Sequence, residues 1–332
     1  MAADLERGFL ALEEGELDAA EAALDRARRV DRRHPDVLLL GAAVSDARGD
    51  VDEALAQYRA LSEDQKDAPM PRLCIARLEL HGLGEPEAAL ATLAEVFDFI
   101  DEEADLVEAI YLKTEALLEL GDADAAREAL AELSTSAIDD AELALDLSEL
   151  ALAAEDPLLA LRWAESAKTI DADAAADAWH LIGRIHEADD KRDLMIAAWQ
   201  EVRKLDAAAP PPELEVSDDE VEQITLATLA ELPANIRAHL EKVPILIDTA
   251  PDEHLVADGF DPRMLGLFQG TPLPESGSGT PAITNILLFK TNLARFARDE
   301  DDLTDEIRIT VLHETAHYFG LDEEDLEKIG LD

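Results

Sequence analysis

Near the end of the chain stands VLHETAHYFGLDEEDL, residues 311–326, where His313 and His317 are four apart, Glu314 follows the first, and Gly320 comes three after the second. On a helix, positions i and i+4 face the same way, so both imidazoles can reach one metal ion, and the glutamate beside the first can serve as a general base. Zn2+ suits imidazole nitrogen and carboxylate oxygen together. A third ligand must come from outside the helix. Gly320 lets the chain turn sharply in a left-handed conformation, which would bring Asp322 or Glu323 back toward the same ion. The alternative is an ordinary helix that holds two histidines and no metal.

The segment DLTDEIRITVLHETAHYFG has the features of a helix. Thr304 is a candidate N-cap, Asp305 and Glu306 suit the positive end of the helix dipole, and Gly320 suits its C-terminal stop. At about 100° per residue, Ile309, Leu312, Ala316 and Phe319 form one apolar face. Ile307, Val311 and Tyr318 form a second face opposite, with Tyr318 expected in the core. His313, Glu314, His317 and Thr310 fall between the two. A helix apolar on both sides is expected to be buried on both, with its histidines along a cleft. His239 and His254 are distant in sequence and read as surface residues.

Most of the chain before this motif is repetitive. A turn residue is followed five positions later by a small or apolar residue, then by apolar residues four and seven further on. The sets begin at Gly15, Gly49, Gly84, Gly121, Glu155 and Asp190. Their third members, Leu24, Tyr58, Leu93, Leu130, Ala164 and Trp199, advance by 34, 35, 37, 34 and 35 positions. Spacings of four and three put these residues on one helical face, and the turn residue marks where a preceding helix ends. Each unit is therefore a helical hairpin that buries its apolar face only by stacking on neighbours. The array resembles the tetratricopeptide repeat family over roughly residues 4–208. Its last unit, with Trp179 and Gly183 in WHLIGRIH ahead of Trp199, matches the family pattern best. That resemblance implies a concave groove for a protein or peptide partner.

The pattern breaks at AAAPPPELEVSDDEVEQ. Pro210, Pro211 and Pro212 cannot continue a helix, and Ser217 with Glu220 reads as a capping box opening a new one through about Leu229, which Pro233 ends or restarts. The expected division is a repeat domain over 1–210, a proline-rich linker over 211–216, and a second domain over 217–332. Within the second domain, VPILIDT, MLGLFQGTPLP and ITNILLF read as strands, the last two separated by ESGSGTP, and LARFARDEDDL as a short helix and turn. ITNILLF is either an edge strand able to pair with an extended substrate or a plain core strand. The fold class expected is mainly α, an α-solenoid of helical hairpins followed by a small α+β domain.

Residues 217–332 resemble the small bacterial family of zincin-like, minimal matrix-metalloprotease-like proteins, whose pattern is H-E-x-x-H-x-x-G-x-x-D or a close variant. The resemblance runs through GLFQGTPL, ILLFKTNLARFA and DEIRITVLHETAHYFGLDEEDLEKIG. It implies a zinc metallopeptidase with His313 and His317 as ligands and Glu314 as the catalytic base. By position it makes Glu323 the third ligand, with Asp322 as the alternative because this chain carries glutamate where the family has aspartate. A His, His, carboxylate set is known to support peptide hydrolysis.

Composition limits the partners. The 332 residues carry 77 acidic against 28 basic side chains, a formal charge of −49, which repels phosphate backbones and anionic lipids and argues against nucleic acid and membrane surfaces. The acidity fits either salt adaptation or a general acidic bias. Cys74 is the single cysteine, so no disulfide forms within the chain, and its apolar setting in LCIARLEL reads as core. MAADLERGFL lacks a basic stretch followed by a long apolar run, and no stretch is apolar enough to span a bilayer, so a cytoplasmic protein is expected. Two readings follow: a repeat array that recruits a partner for a zinc metallopeptidase, or a non-catalytic adaptor whose metal site is structural or vestigial.

Overall fold

The computed structural model describes residues 1–133, 138–240, 243–270 and 285–321. Six helical hairpins come first: α1 (Ala2–Glu13) with α2 (Leu17–Asp31), α3 (Pro35–Ala47) with α4 (Val51–Asp64), and α5 (Met70–Arg77) with α6 (Pro86–Ala94). They continue with α7 (Glu103–Glu119) and α8 (Ala123–Leu130), α9 (Ala141–Ala153) and α10 (Pro157–Ile170), and α11 (Ala175–Ala188) and α12 (Arg192–Ala208). The apolar positions read from the repeat, from Ala20, Leu24 and Ala27 through Met195, Trp199 and Val202, are all buried.

The hairpin turns share one backbone solution. Gly15, Gly49, Gly84 and Gly121 have φ between 64° and 78°, and Glu155 and Asp190 adopt the same left-handed conformation at 57° and 54°. At Gly15, the next amide (Glu16 N–H) donates to Ala11 O at 2.7 Å while Gly15 N–H donates to Leu12 O at 3.1 Å, so the carbonyls at the helix end find partners. The same pair recurs at Glu155, with Asp156 N–H to Ala151 O and Glu155 N–H to Leu152 O. The third hairpin departs from this, because α5 runs on into a π-helical turn over Leu78–Gly82. A wider turn of this kind absorbs an extra residue within a helix.

A side chain with a Cβ costs about 1–2 kcal/mol in the left-handed region, whereas glycine loses about 0.5–1 kcal/mol of extra chain entropy on folding. Glu155→Gly and Asp190→Gly are therefore each expected to raise Tm by about 1–4 °C in thermal melts followed by circular dichroism. An unchanged or lower Tm would show that these side chains contribute something in the turn that glycine lacks.

The described chain forms two compact units, Met1–Ala174 and Ala175–Asp332. The sixth hairpin lies in the second. There Trp199 packs closely against Gly183, where an added Cβ would sit 2.0 Å from the indole Nε1, so only glycine fits. Met195, Trp199 and Val202 of α12 form a core cluster with Val256 of α15 (Glu253–Ala257).

After the hairpin come α13 (Asp218–Glu231), α14 (Ala234–Leu240), β1 (Ile245–Asp248), α15, β2 (Gly266–Gln269), β3 (Asn285–Phe289), α16 (Lys290–Phe296) and α17 (Glu300–Tyr318). Ser217 and Glu220 form the reciprocal capping box at the start of α13. The sheet order is β1-β3-β2, with β3 parallel to β1 (Ile245 opposite Ile286) and antiparallel to β2 (Phe268 opposite Ile286). The NILLF strand β3 is thus central, paired on both sides, and among the described residues β2 is the strand at the edge beside the motif helix. Val221, Ile286, Leu288, Leu293, Leu303, Ile307 and Val311 make the core of this layer.

The motif helix α17 begins earlier than the sequence suggests. Asp299 is its N-cap and accepts from Asp302 N–H at 2.8 Å, while Thr304 lies inside the helix with its hydroxyl on Glu300 O. The acidic run Glu300, Asp301 and Asp302 occupies the first turn, where the dipole favours it. Among the described residues no helix is long and apolar enough to cross a membrane.

Candidate metal centre

His313 and His317 lie one turn apart on α17, and their Nε2 atoms converge to 3.0 Å. Nδ1 of His317 stands 3.1 Å from Leu321 O. A carbonyl oxygen only accepts, so Nδ1 is the donor in this contact, which leaves Nε2, directed at His313, as the nitrogen that can hold a metal. Gly320 makes this contact possible. With φ of +81° it closes α17 through Leu321 N–H to Ala316 O at 3.1 Å and Gly320 N–H to His317 O at 3.0 Å, folding the Leu321 carbonyl back over the last turn.

The donor pair fits a zinc ion. Two nitrogens each about 2.0–2.1 Å from a tetrahedral zinc lie ~3.3 Å apart, within a few tenths of an ångström of the separation here. The outer hydrogen bond of His317 is also of the kind that orients metal-binding imidazoles. Among the described residues no third His, Cys, Asp or Glu joins the pair into a three-ligand cluster. Glu323 and Asp322 lie outside the described residues, as does ESGSGTP.

Glu314 is only 7% exposed. Burial pushes its pKa up to about 7 from the ordinary 4.5, against the opposing pull of His313 and of a backbone hydrogen bond from Phe268. The β2 edge is therefore what meets the carboxylate. Leu265 O accepts from Phe289 N–H on the β3 side, and alternation along the strand turns Gly266 and Phe268 the other way, toward α17. The approach is close. A Cβ on Gly266 would lie 2.7 Å from Thr310 Cγ2 and 2.9 Å from Glu314 Cγ.

The raised pKa has a consequence for the metal-free chain. The folded state holds the Glu314 proton up to about 7 and the unfolded state releases it near 4.5, so this contribution to stability is full below about 4.5 and is lost as pH rises through about 7. Glu314→Gln is uncharged throughout. In chelator-treated protein its Tm is expected to match wild type at about pH 5 and to exceed it at about pH 8. A constant difference between the two melting curves would show that Glu314 ionises normally.

A cleft of about 760 Å³ opens beside these residues and includes His313, Glu314 and His317 in its wall. The remainder of the wall is largely apolar, with Phe260, Met264, Phe296 and Ile309 among its members. Here the structure departs from a helix buried on both apolar faces. Ile307 and Val311 are fully buried, but Ile309 is 39% exposed and lines the cleft. Tyr318 is buried as expected and packs against Phe268, with ring centroids 5.9 Å apart. His239 and His254 are exposed. Sequence reasoning missed Gly266, Phe268 N–H and Leu321 O. The one available signal was the glycine in GLFQG, since glycine inside a strand often marks close approach of another element.

Residues 240–331 match the sequence profile of the zincin-like metallopeptidase family. No curated protein matches the chain. The crystal structure of PilW, a widely conserved type IV pilus biogenesis factor, superposes with a TM-score of 0.52 at 12% identity, covering 63% of this chain and 94% of that one. Pseudomonas aeruginosa pilF gives 0.47 at 16% identity over 63% and 92% of the two chains. A thermophilic TPR protein from Thermus thermophilus gives 0.46 at 20% identity over 54% and 97%. The chain joins a tetratricopeptide-type helical array to a zincin-like domain.

Proposed function

We propose that this protein is a zinc-dependent metallopeptidase whose repeat array recruits a protein or peptide partner. The observation that carries the reading is the convergence of the His313 and His317 Nε2 atoms at 3.0 Å beside the buried Glu314 carboxylate, at the wall of an open cleft. His313 and His317 hold the ion, with Glu323 as the favoured third ligand and Asp322 as its alternative. When bound, zinc supplies Lewis acidity that polarises a peptide carbonyl and acidifies water.

The chain's own residues supply the remaining chemistry. Glu314 would take a proton from the attacking water as its oxygen bonds to the peptide carbonyl carbon, and would deliver that proton to the amine nitrogen as the C–N bond breaks. Phe268 N–H and the contact at Gly266 hold that carboxylate in place, and His317 is held by Leu321 O. Among the described residues β2 pairs only with β3, and its residues line the cleft, where an extended peptide can lie alongside the strand. The repeat array supports recruitment through the extended surface that stacked hairpins present.

The test is cleavage of an unstructured peptide by the full-length, zinc-supplied chain, compared with its Glu314→Gln variant. Cleavage that depends on Glu314 is the expected result. A chain that binds zinc but cuts no better than Glu314→Gln is instead an adaptor with a structural metal.

A further inference from the structure

The cleft has one wall that the motif does not explain. Phe260 and Met264 come from the segment between α15 and β2, and they face the cleft together with Phe296 and Ile309. Phe260 is 37% and Phe296 62% exposed. Large apolar side chains left open to water around a concave site mark a surface that a ligand covers.

The segment carrying Phe260 and Met264 has little regular structure, yet its backbone is tied down at successive residues. The Arg192 guanidinium of α12 donates to Asp258 O and packs against Gly259, whose φ of +90° favours glycine. His180 of α11 pairs with Asp261 at 2.8 Å, and Asp261 also accepts from Arg263 N–H at 2.7 Å. Arg263 forms a two-pronged pair with Asp206 of α12 at 2.9 and 3.0 Å and a second pair with Asp177 of α11 at 2.6 Å. On the other side, the buried Asn292 amide donates to Pro262 O at 2.9 Å and Met264 O at 2.8 Å. A forked arginine–carboxylate pair fixes orientation as well as position. The sixth hairpin and α16 therefore hold from behind a segment whose front faces the cleft.

We infer that the sixth hairpin, acting through Arg263, sets an apolar specificity wall at the candidate active site, and that this wall selects a peptide with a large apolar side chain near the bond to be cut. The inference rests on the peptidase reading for the word substrate, but its binding arm does not require turnover. Phe260, Met264, Phe296 and Ile309 contact the apolar side chain. Arg263 is a positioning residue that acts through Phe260 and Met264. The hairpin thus serves the cleft as a fixed support, a role distinct from repeat-groove recognition.

The experiment uses the full-length, zinc-supplied Glu314→Gln chain and two blocked, dye-labelled alanine peptides, one with a single central phenylalanine and one with alanine there. Fluorescence anisotropy reads the two Kd values. The phenylalanine peptide is expected to bind about tenfold or more tightly, as burial of a phenyl ring implies. Adding Arg263→Ala is expected to bring the ratio of Kd values toward one while leaving the alanine-peptide Kd and the zinc content unchanged, which a generally loosened cleft would not do. Arg263→Lys keeps the charge but not the fork, and should retain part of the preference. Phe260→Ser touches none of the ion pairs and should also flatten the ratio, so it carries the test if Arg263→Ala does not fold.

No measurable binding, equal binding of the two peptides, or a preference that survives these substitutions overturns the inference. If wild type cuts neither peptide while the preference is present, the peptidase reading fails and the wall stands. If wild type cuts both peptides equally and binding shows no preference, the wall fails and the peptidase reading stands.

Discussion

His317→Ala is expected to leave the purified chain without zinc, whereas Glu314→Gln keeps zinc at about one per chain and loses turnover. The two residues are three apart on the same helix, but the structure gives them different surroundings. His317 directs Nε2 at His313 and is fixed from behind by Leu321 O, so its removal takes away a ligand together with its support. Loss of an outer hydrogen bond to a metal-binding histidine costs about 10–100-fold in metal affinity, and loss of the ligand itself should exceed that. Glu314 is not needed to hold the ion, and glutamine keeps its shape. Removing a positioned general base lowers turnover by about 10²–10⁴-fold. Elemental analysis and peptide cleavage on the same preparations separate the two effects. Glu323→Ala and Asp322→Ala, compared side by side, identify the carboxylate that completes the set, with the larger zinc loss expected at Glu323. A wild-type chain that takes up no transition metal when zinc is supplied would reduce the two histidines to constituents of a helix.

Much of this arrangement was written in local sequence. The turn positions were legible because the repeat places them at a fixed offset before an apolar face, so even Glu155 and Asp190 could be recognised as turns without a glycine. The capping box at Ser217 and the stop at Gly320 are likewise decided within a few residues. The start of α17 was not, because Asp299 and Thr304 are both competent caps and the acidic run between them suits a first helical turn as well as a loop. Strand order was also hidden. A short apolar run such as NILLF fits a central or an edge position, and only its pairing with both β1 and β2 decides. The supports of the site were the least visible part. Gly266 against Thr310 joins residues 44 apart in sequence, and Arg263 meets Asp177 across 86, so no periodicity announces either contact.

Gly266→Ala is expected to damage turnover more than zinc binding, although residue 266 contributes no side chain to the site. The added methyl would lie 2.7 Å from Thr310 Cγ2 and 2.9 Å from Glu314 Cγ. Neither obstacle is the free end of a long side chain, and Glu314 is buried, so rotation offers no cheap escape. The strand or the helix must move. Such overpacking costs about 1–3 kcal/mol in a well-packed region, which should lower Tm by several degrees. The direction of the shift matters more for function. Separating β2 from α17 stretches the hydrogen bond from Phe268 N–H to the Glu314 carboxylate, and the base loses its position while His313 and His317, on the same continuous helix, keep theirs. A displacement of about 1 Å at a reacting group can cost about a hundredfold in rate. Turnover is thus expected to fall by about 10–100-fold with zinc still near one per chain. If zinc and turnover are lost in parallel, or if neither changes, the β2 edge does not position Glu314.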